Sequence, residues 1–260
     1  MREPVRHENG ISDSKRVSPL GMFPFLDPTR FSTWYTDFHR SEGISASTGN
    51  DWTVSKTEAG AGDAAVSLDD AANGVLKIVN DAADDDRVFV QKLGESFKWV
   101  AGKKLVIAGR FKLSDATQTD FLFGLAITDT TPLDATDGIF FRKADGSTSL
   151  VANVVKNSSS TATLAAATLA DDTYVDVAIV YQGAAKSAAQ IVGASGGVTK
   201  HYEFEVWKKN SDGDWYQVGS IDATTEAPDD EELTISFGCQ NGEGAAKTHY
   251  YDYMLFSQER

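Results

Sequence analysis

The stretch Lys103-Lys104-Leu105-Val106-Ile107-Ala108-Gly109-Arg110-Phe111-Lys112-Leu113-Ser114 decides how the rest of the chain is read. Leu105, Ile107, Phe111 and Leu113 fall on one side of an extended chain, and Lys104, Arg110 and Lys112 fall on the other. Side chains alternate across a strand, so a period of two with one apolar and one charged face describes a half-buried β-strand. The same period recurs downstream. Phe121, Phe123, Leu125 and Ile127 align in residues 120–129, and Val175, Val177, Ile179 and Tyr181 align in 173–182. In residues 201–209, Tyr202, Phe204 and Val206 alternate with Glu203 and Glu205.

Turn chemistry separates the runs. Asp145-Gly146 divides GIFFR from SLVANVV, and Asp212-Gly213 divides YEFEVWK from WYQVGSI. Asp-Gly supplies the left-handed backbone that a tight hairpin needs. A dozen or more such strands predict an all-β protein, a two-sheet antiparallel sandwich. Helical material is scarce. Residues 158–172 fit a short helix, a strand or a loop, and residues 184–197 read as a loop insertion with about one helical turn.

The first 30 residues read differently. Pro4, Pro19, Pro24 and Pro28 stand within them, out of six prolines in the 260-residue chain. Proline removes amide donors and restricts the residue before it, so neither a helix nor a central strand runs through 19–28. The chain therefore divides into an extended N-terminal arm, 1–30, and a sandwich domain, 31–260. The arm holds an apolar run, Leu20, Met22, Phe23, Phe25 and Leu26, which marks a docking segment more than a solvated linker. Docking on its own sandwich and docking on a neighbouring subunit both fit.

Charge splits along the same boundary. The whole chain carries −14, yet Arg2, Arg6, Lys15, Arg16 and Arg30 outnumber Glu3, Glu8, Asp13 and Asp27 in the arm. The arm is thus weakly basic and the body strongly acidic. That balance gives no basic stripe for nucleic acid. No run approaches a membrane-spanning length, and residues 1–10 lack the apolar centre of a secretory signal. The expectation is synthesis and assembly in a cytoplasm.

A single cysteine, Cys239, excludes an internal disulfide and a cysteine-based zinc site. It falls in phase with Leu233, Ile235 and Phe237, the position of a small buried apolar residue. The four histidines, His7, His39, His201 and His249, form no i, i+4 pair, and no nucleophile elbow or phosphate loop occurs. Acid runs at Asp69-Asp70, Asp84 to Asp86, Asp171-Asp172 and Asp229 to Glu232 lack calcium-loop spacing and read as solvated turns.

The order GIFFRKADGS, LVANVV, LADDTYVDVAIVYQG, YEFEVWKK, DWYQVGS and LTISFGCQNGEGAAKTHYYDYMLFSQ resembles the concanavalin A-like (laminin-G-like) jelly roll, in the form found in structural proteins of tailed bacteriophages. The closing Tyr251-Asp252-Tyr253-Met254-Leu255 is typical of such domains, and the likeness spans about 31–258. The resemblance implies a two-sheet jelly roll. It further implies a virion role, in which the arm anchors named above, with Arg2, Arg6, Lys15 and Arg16, grip a major capsid protein or other virion protein. This expectation is a capsid decoration or cement protein on the capsid exterior, homo-oligomeric and trimeric by analogy, with no nucleic-acid or membrane partner.

The family also contains lectins and glycosidases. A carbohydrate-binding module or tail-fibre adhesin is the alternative, with Trp207 and Trp215 as candidate glycan contacts or as a cross-strand pair. β-Glucan-cleaving relatives place three acids at alternating positions of one strand. Here only Glu203 and Glu205 alternate and the third place falls to His201 or Trp207, so no enzyme is expected. Such domains often hold calcium at the sandwich rim. No cofactor is required by these residues, and calcium is left open.

Overall fold

In a computed structural model, the described residues are 18, 20, 27–44, 51–59, 62–160, 163–186, 201–225 and 227–260. They form fifteen strands and a short 3-10 turn, Pro132–Asp134, with no α-helix among them. None of their helices is long and apolar enough to cross a membrane.

The strands are β1 (Phe31–Thr36), β2 (Trp52–Thr57), β3 (Ala65–Leu68), β4 (Leu76–Val79), β5 (Arg87–Lys92), β6 (Leu105–Leu113), β7 (Thr119–Ala126) and β8 (Gly138–Lys143). They continue with β9 (Ser149–Val155), β10 (Thr163–Thr168), β11 (Val175–Lys186), β12 (His201–Lys209), β13 (Trp215–Ala223), β14 (Thr234–Asn241) and β15 (Thr248–Glu259). One sheet has the order β13-β12-β11-β6-β15-β4-β3, with β1 also paired to β15. The other has the order β10-β9-β8-β7-β14-β5-β2. Every pairing is antiparallel.

The period-two runs land as the sequence demands. Leu105, Ile107, Phe111 and Leu113 of β6 point into the space between the sheets, as do Val177, Ile179 and Tyr181 of β11. Gly109 continues that inner face without a side chain because the Phe123 ring of the facing sheet fills its place. A Cβ there would lie 2.4 Å from Phe123 Cζ. Around this point the core is aromatic: Phe111 meets Phe121 at 4.6 Å between centroids, and Phe237 meets Tyr251 edge-on at 4.8 Å. Such offset and edge contacts add to the burial of their area. Cys239 is fully buried in this layer beside Asn80, and burial raises its thiol pKa.

The two Asp-Gly turns close the hairpins predicted for them, with Gly146 at φ +71° and Gly213 at φ +81°. The 158–172 segment, which fitted helix, strand or loop, contains strand β10. In the 184–197 segment, Ala184 to Lys186 extend β11, where an irregularity at positive-φ Gly183 lets the strand continue. Residues 187–197 of that segment lie outside the described residues.

The outer faces are less wet than simple alternation predicts. Val106, Ala108, Ala178, Val180, Phe31 and Leu255 form an apolar cluster on the outer face of the eight-stranded sheet, with Trp215, Trp207 and Leu20 packed on it. On the outer face of the seven-stranded sheet, Phe89, Leu122 and Phe140 are covered by Leu133 and Ala135 of the β7–β8 connection. Gln91 fastens that connection, donating to Ile127 O at 2.9 Å and accepting from Asp129 N at 2.9 Å.

Candidate functional site

With the seven-stranded sheet capped by its own loop, the polar relief lies on the outer face of the eight-stranded sheet. Register builds it. Tyr253 of β15 stands opposite Arg110 of β6, and Arg110 stands opposite Asp176 of β11. On the hairpin, Lys209 of β12 stands opposite Trp215 of β13. A hydrogen bond joins the two pairs, so one row, Tyr253-Arg110-Asp176-Lys209-Trp215, crosses five strands.

Asp176 is the centre of that row. Its carboxylate accepts from Lys209 Nζ at 3.0 Å and from the Tyr253 hydroxyl at 2.9 Å, with Arg110 Nη1 at 3.5 Å. Arg110 Nε also pairs with Asp252 at 2.9 Å. An irregularity in β15 between Tyr251 and Tyr253 turns Asp252 to this face, because an extra residue in one strand shifts its neighbour's direction. Burial and then the nearby Asp176 carboxylate raise the Tyr253 pKa, so the phenol stays a donor. Burial also raises Asp252, an effect that Arg110 opposes.

A second row runs beside the first. Tyr250 is opposite both Lys112 and Lys77, and Lys112 lies 4.3 Å from the Tyr250 ring centroid. Tyr174 lies 4.8 Å from the Arg110 guanidinium and 5.2 Å from the Lys112 ammonium. Cations over ring faces at these distances are attracted by the ring quadrupole.

The rows end in a cleft of about 590 Å³ between the β10–β11 crossover and the tip of the β12–β13 hairpin. Arg110, Tyr174, Asp176, Lys208, Lys209 and Tyr216 line it, with the loop residues of both connections. Tyr216 is 44% exposed, one of few large apolar side chains left open to solvent. The cleft offers aromatic surface, several N–H donors and one committed carboxylate. It is equipped to bind.

The residues singled out in the sequence are placed as follows. Trp215 is 9% exposed and lies under Lys209, whose ammonium is 5.2 Å from its ring. Trp207 is half-buried in the same apolar cluster and donates Nε1 to Glu205 Oε2 at 3.0 Å. Trp207 is opposite Gln217, so the two tryptophans are diagonal neighbours and not a directly opposed pair. Leu20 of the arm packs on that cluster, on the chain's own sheet. Met22, Phe23, Phe25, Leu26, Arg2, Arg6, Lys15 and Arg16 lie outside the described residues.

Glu203 and Glu205 do share the outer face. Glu203 accepts from Ser220 Oγ and Glu205 from Gln182 and Trp207. His249 is fully buried, and burial lowers its pKa to about 3. His201 bonds Asp222 at 3.0 Å at the far end of β12. The acid runs bind the protein itself: Asp171 accepts from Ala116 N, Asp229 and Asp230 pair with Lys156, and Glu232 pairs with Lys98. Among the described residues no three His, Cys, Asp or Glu side chains are grouped to hold a metal ion.

The sequence flagged Arg110, Lys112 and the acids of β12 as a wet face. It named Tyr216 only as a possible cross-strand partner of Trp207 and Lys208 only as the end of that wet strand, and it did not single out Asp176 or Tyr174. Asp176 had a signal, a lone carboxylate out of phase within the apolar run of 173–182.

No family model and no curated protein matches the chain. Solved structures do resemble its fold. A protein of unknown function from Shewanella oneidensis MR-1 superposes with a TM-score of 0.55 at 17% identity, covering 89% of this chain and 87% of that one. An endo-1,3-β-glucanase from Streptomyces sioyaensis gives 0.54 at 14% identity, covering 88% and 96%. Peanut lectin gives 0.53 at 12% identity, covering 88% and 97%. The fold is therefore the concanavalin A-like jelly roll, as the sequence resemblance implied.

Proposed function

We propose that this protein is a non-catalytic carbohydrate-binding module that holds a glycan in the cleft between the β10–β11 crossover and the β12–β13 hairpin. The observation that carries this reading is the cross-strand row. It fixes donors and aromatic rings at one end of a rigid sheet, next to the exposed Tyr216. Sugar sites combine ring faces with a few placed polar groups in this way. That a lectin and a glucanase share the fold supports the reading, as a fold-level analogy.

A glycan array followed by calorimetry tests it. Tyr216→Ala is expected to weaken the best ligand by about tenfold, the equivalent of ~1.4 kcal/mol of lost stacking. If Trp207→Ala abolishes binding and Tyr216→Ala does not, the glycan lies on the apolar outer cluster instead. Absence of any glycan ligand refutes the module.

The second reading is a virion-surface role, a capsid decoration protein gripping its partner through the arm. The apolar run 20–26 and the weak basicity of 1–30 support it. The packing of Leu20 on the chain's own sheet favours a strap over an outward anchor. Deleting residues 1–30 separates the two. Unchanged particle binding by the folded truncation sinks the virion-arm idea.

A further inference from the structure

We infer that the glycan taken by this cleft is anionic, a chain bearing uronic-acid carboxylates. The inference rests on the module reading above. Its basis is the charge inside the cleft set against the charge outside it. The protein carries −14, yet Arg110, Lys208 and Lys209 line the cleft against a single lining carboxylate, Asp176. Lys112 stands in the adjoining row.

The state of those charges sharpens the point. Asp176 is committed to Lys209, Tyr253 and Arg110, and Asp252 meets Arg110, so Arg110, Lys208 and Lys209 against these two carboxylates leave a net charge of +1. Arg110 ion-pairs with Asp252 through Nε without hydrogen-bond alignment and meets Asp176 through Nη1 at 3.5 Å. A guanidinium has five N–H donors in a planar fork, so donors remain for a carboxylate. Lys208 is half-buried and makes no ion pair with the described residues. Lys208, half-buried in the cleft and outside the Asp176 network, is the cation left for an incoming anion.

The neighbouring acids do not cancel this. Asp172 pairs with Lys112 at 3.8 Å, and Asp212 and Asp214 are exposed at the hairpin tip without lining the cleft. The Tyr174 ring is already faced by Arg110 and Lys112, which leaves Tyr216 as the open aromatic face. One ring face beside several cations suits a sugar whose C6 is a carboxylate.

The test compares two oligosaccharides that differ only at C6: β-1,4-linked oligoglucuronate and the matching cello-oligosaccharide. An array of other uronate and neutral glycans runs alongside to cover linkage. Titration calorimetry is expected to give at least about tenfold tighter binding for a uronate than for its neutral counterpart, as one charge-assisted contact supplies. The preference is expected to shrink as salt rises from about 50 to about 500 mM. Lys208→Gln and Lys209→Gln each reduce it severalfold. Lys98→Gln leaves it unchanged, because Lys98 pairs with Glu232 at 2.9 Å and does not line the cleft. Neutral glycans bound as tightly as uronates overturn the inference and keep the module. A single-stranded oligonucleotide bound as tightly as the uronate overturns it in favour of general polyanion binding. No glycan bound at all refutes the module reading and this inference together.

Discussion

Replacing Asp176 with alanine removes the single acceptor on which three donors converge, and the cost follows from their geometry. A hydrogen bond to a charged group contributes about 1.5–3 kcal/mol net. Two of the three contacts are well formed, Lys209 at 3.0 Å and Tyr253 at 2.9 Å. The third, Arg110 at 3.5 Å, is at the limit, and Arg110 keeps Asp252. The Lys209 side chain is 29% exposed and turns to water when released, whereas the Tyr253 hydroxyl is left without its acceptor. Discounting the exposed donor leaves ~2–3 kcal/mol for Asp176→Ala. Asp176→Asn keeps an acceptor oxygen and loses the charge, which costs ~1 kcal/mol. Lys209→Met removes one donor of three and leaves the carboxylate satisfied, so it costs less than ~1 kcal/mol, the range of a partly exposed pair. Urea unfolding followed by tryptophan fluorescence measures all three. The reasoning fails if Asp176→Ala lies within ~0.5 kcal/mol of the parent, or if Lys209→Met costs as much as Asp176→Ala.

Gly238→Ala is expected to cost ~3 kcal/mol, because its Cβ would lie 2.2 Å from Val88 O at φ +154°, while Gly244→Ala, with nothing within 4 Å, stays within ~0.5 kcal/mol; melting curves compare them. His249 gives an acid-labile contribution. Its folded pKa of about 3 lies below the unfolded 6.5, so the unfolded chain binds the proton first. Stability is then full above pH 6.5 and falls as pH drops towards 3, and His249→Gln flattens that slope in a series of melts. The Cys239 thiol, fully buried and raised by burial, is expected to resist Ellman's reagent in the native protein and to react with the same urea midpoint as unfolding; rapid native labelling would contradict its placement.

The sandwich was legible because period two survives in sequence wherever one face is buried. Leu105 to Leu113 show it best, and the gap that Gly109 leaves in the apolar face is explained only by the facing Phe123. The outer apolar cluster was not legible. Val106 and Ala108 occupy positions that simple alternation assigns to water, and only the tertiary approach of Phe31, Trp215 and Leu20 buries that face. The cleft was half legible. Arg110 and Lys112 stood out, but Tyr253, Asp176 and Lys209 are far apart in sequence, and register alone brings them into one row. The extra residue at Asp252 shifts that register and leaves no mark in the alternation of its neighbours.

The pairing of β1 with β15 has a kinetic consequence. Thr33 and Ser257 share a hydrogen bond across 224 positions of sequence, and β4 and β6 also wait on β15 for their edges. Closing loops of that length precedes any reward from the contacts, so folding is slow by the standards of small domains. During synthesis the eight-stranded sheet lacks its central strand until residues 248–259 have emerged. For that interval the inner edges of β6 and β4 stand unpaired, which makes the nascent chain a natural client for chaperones.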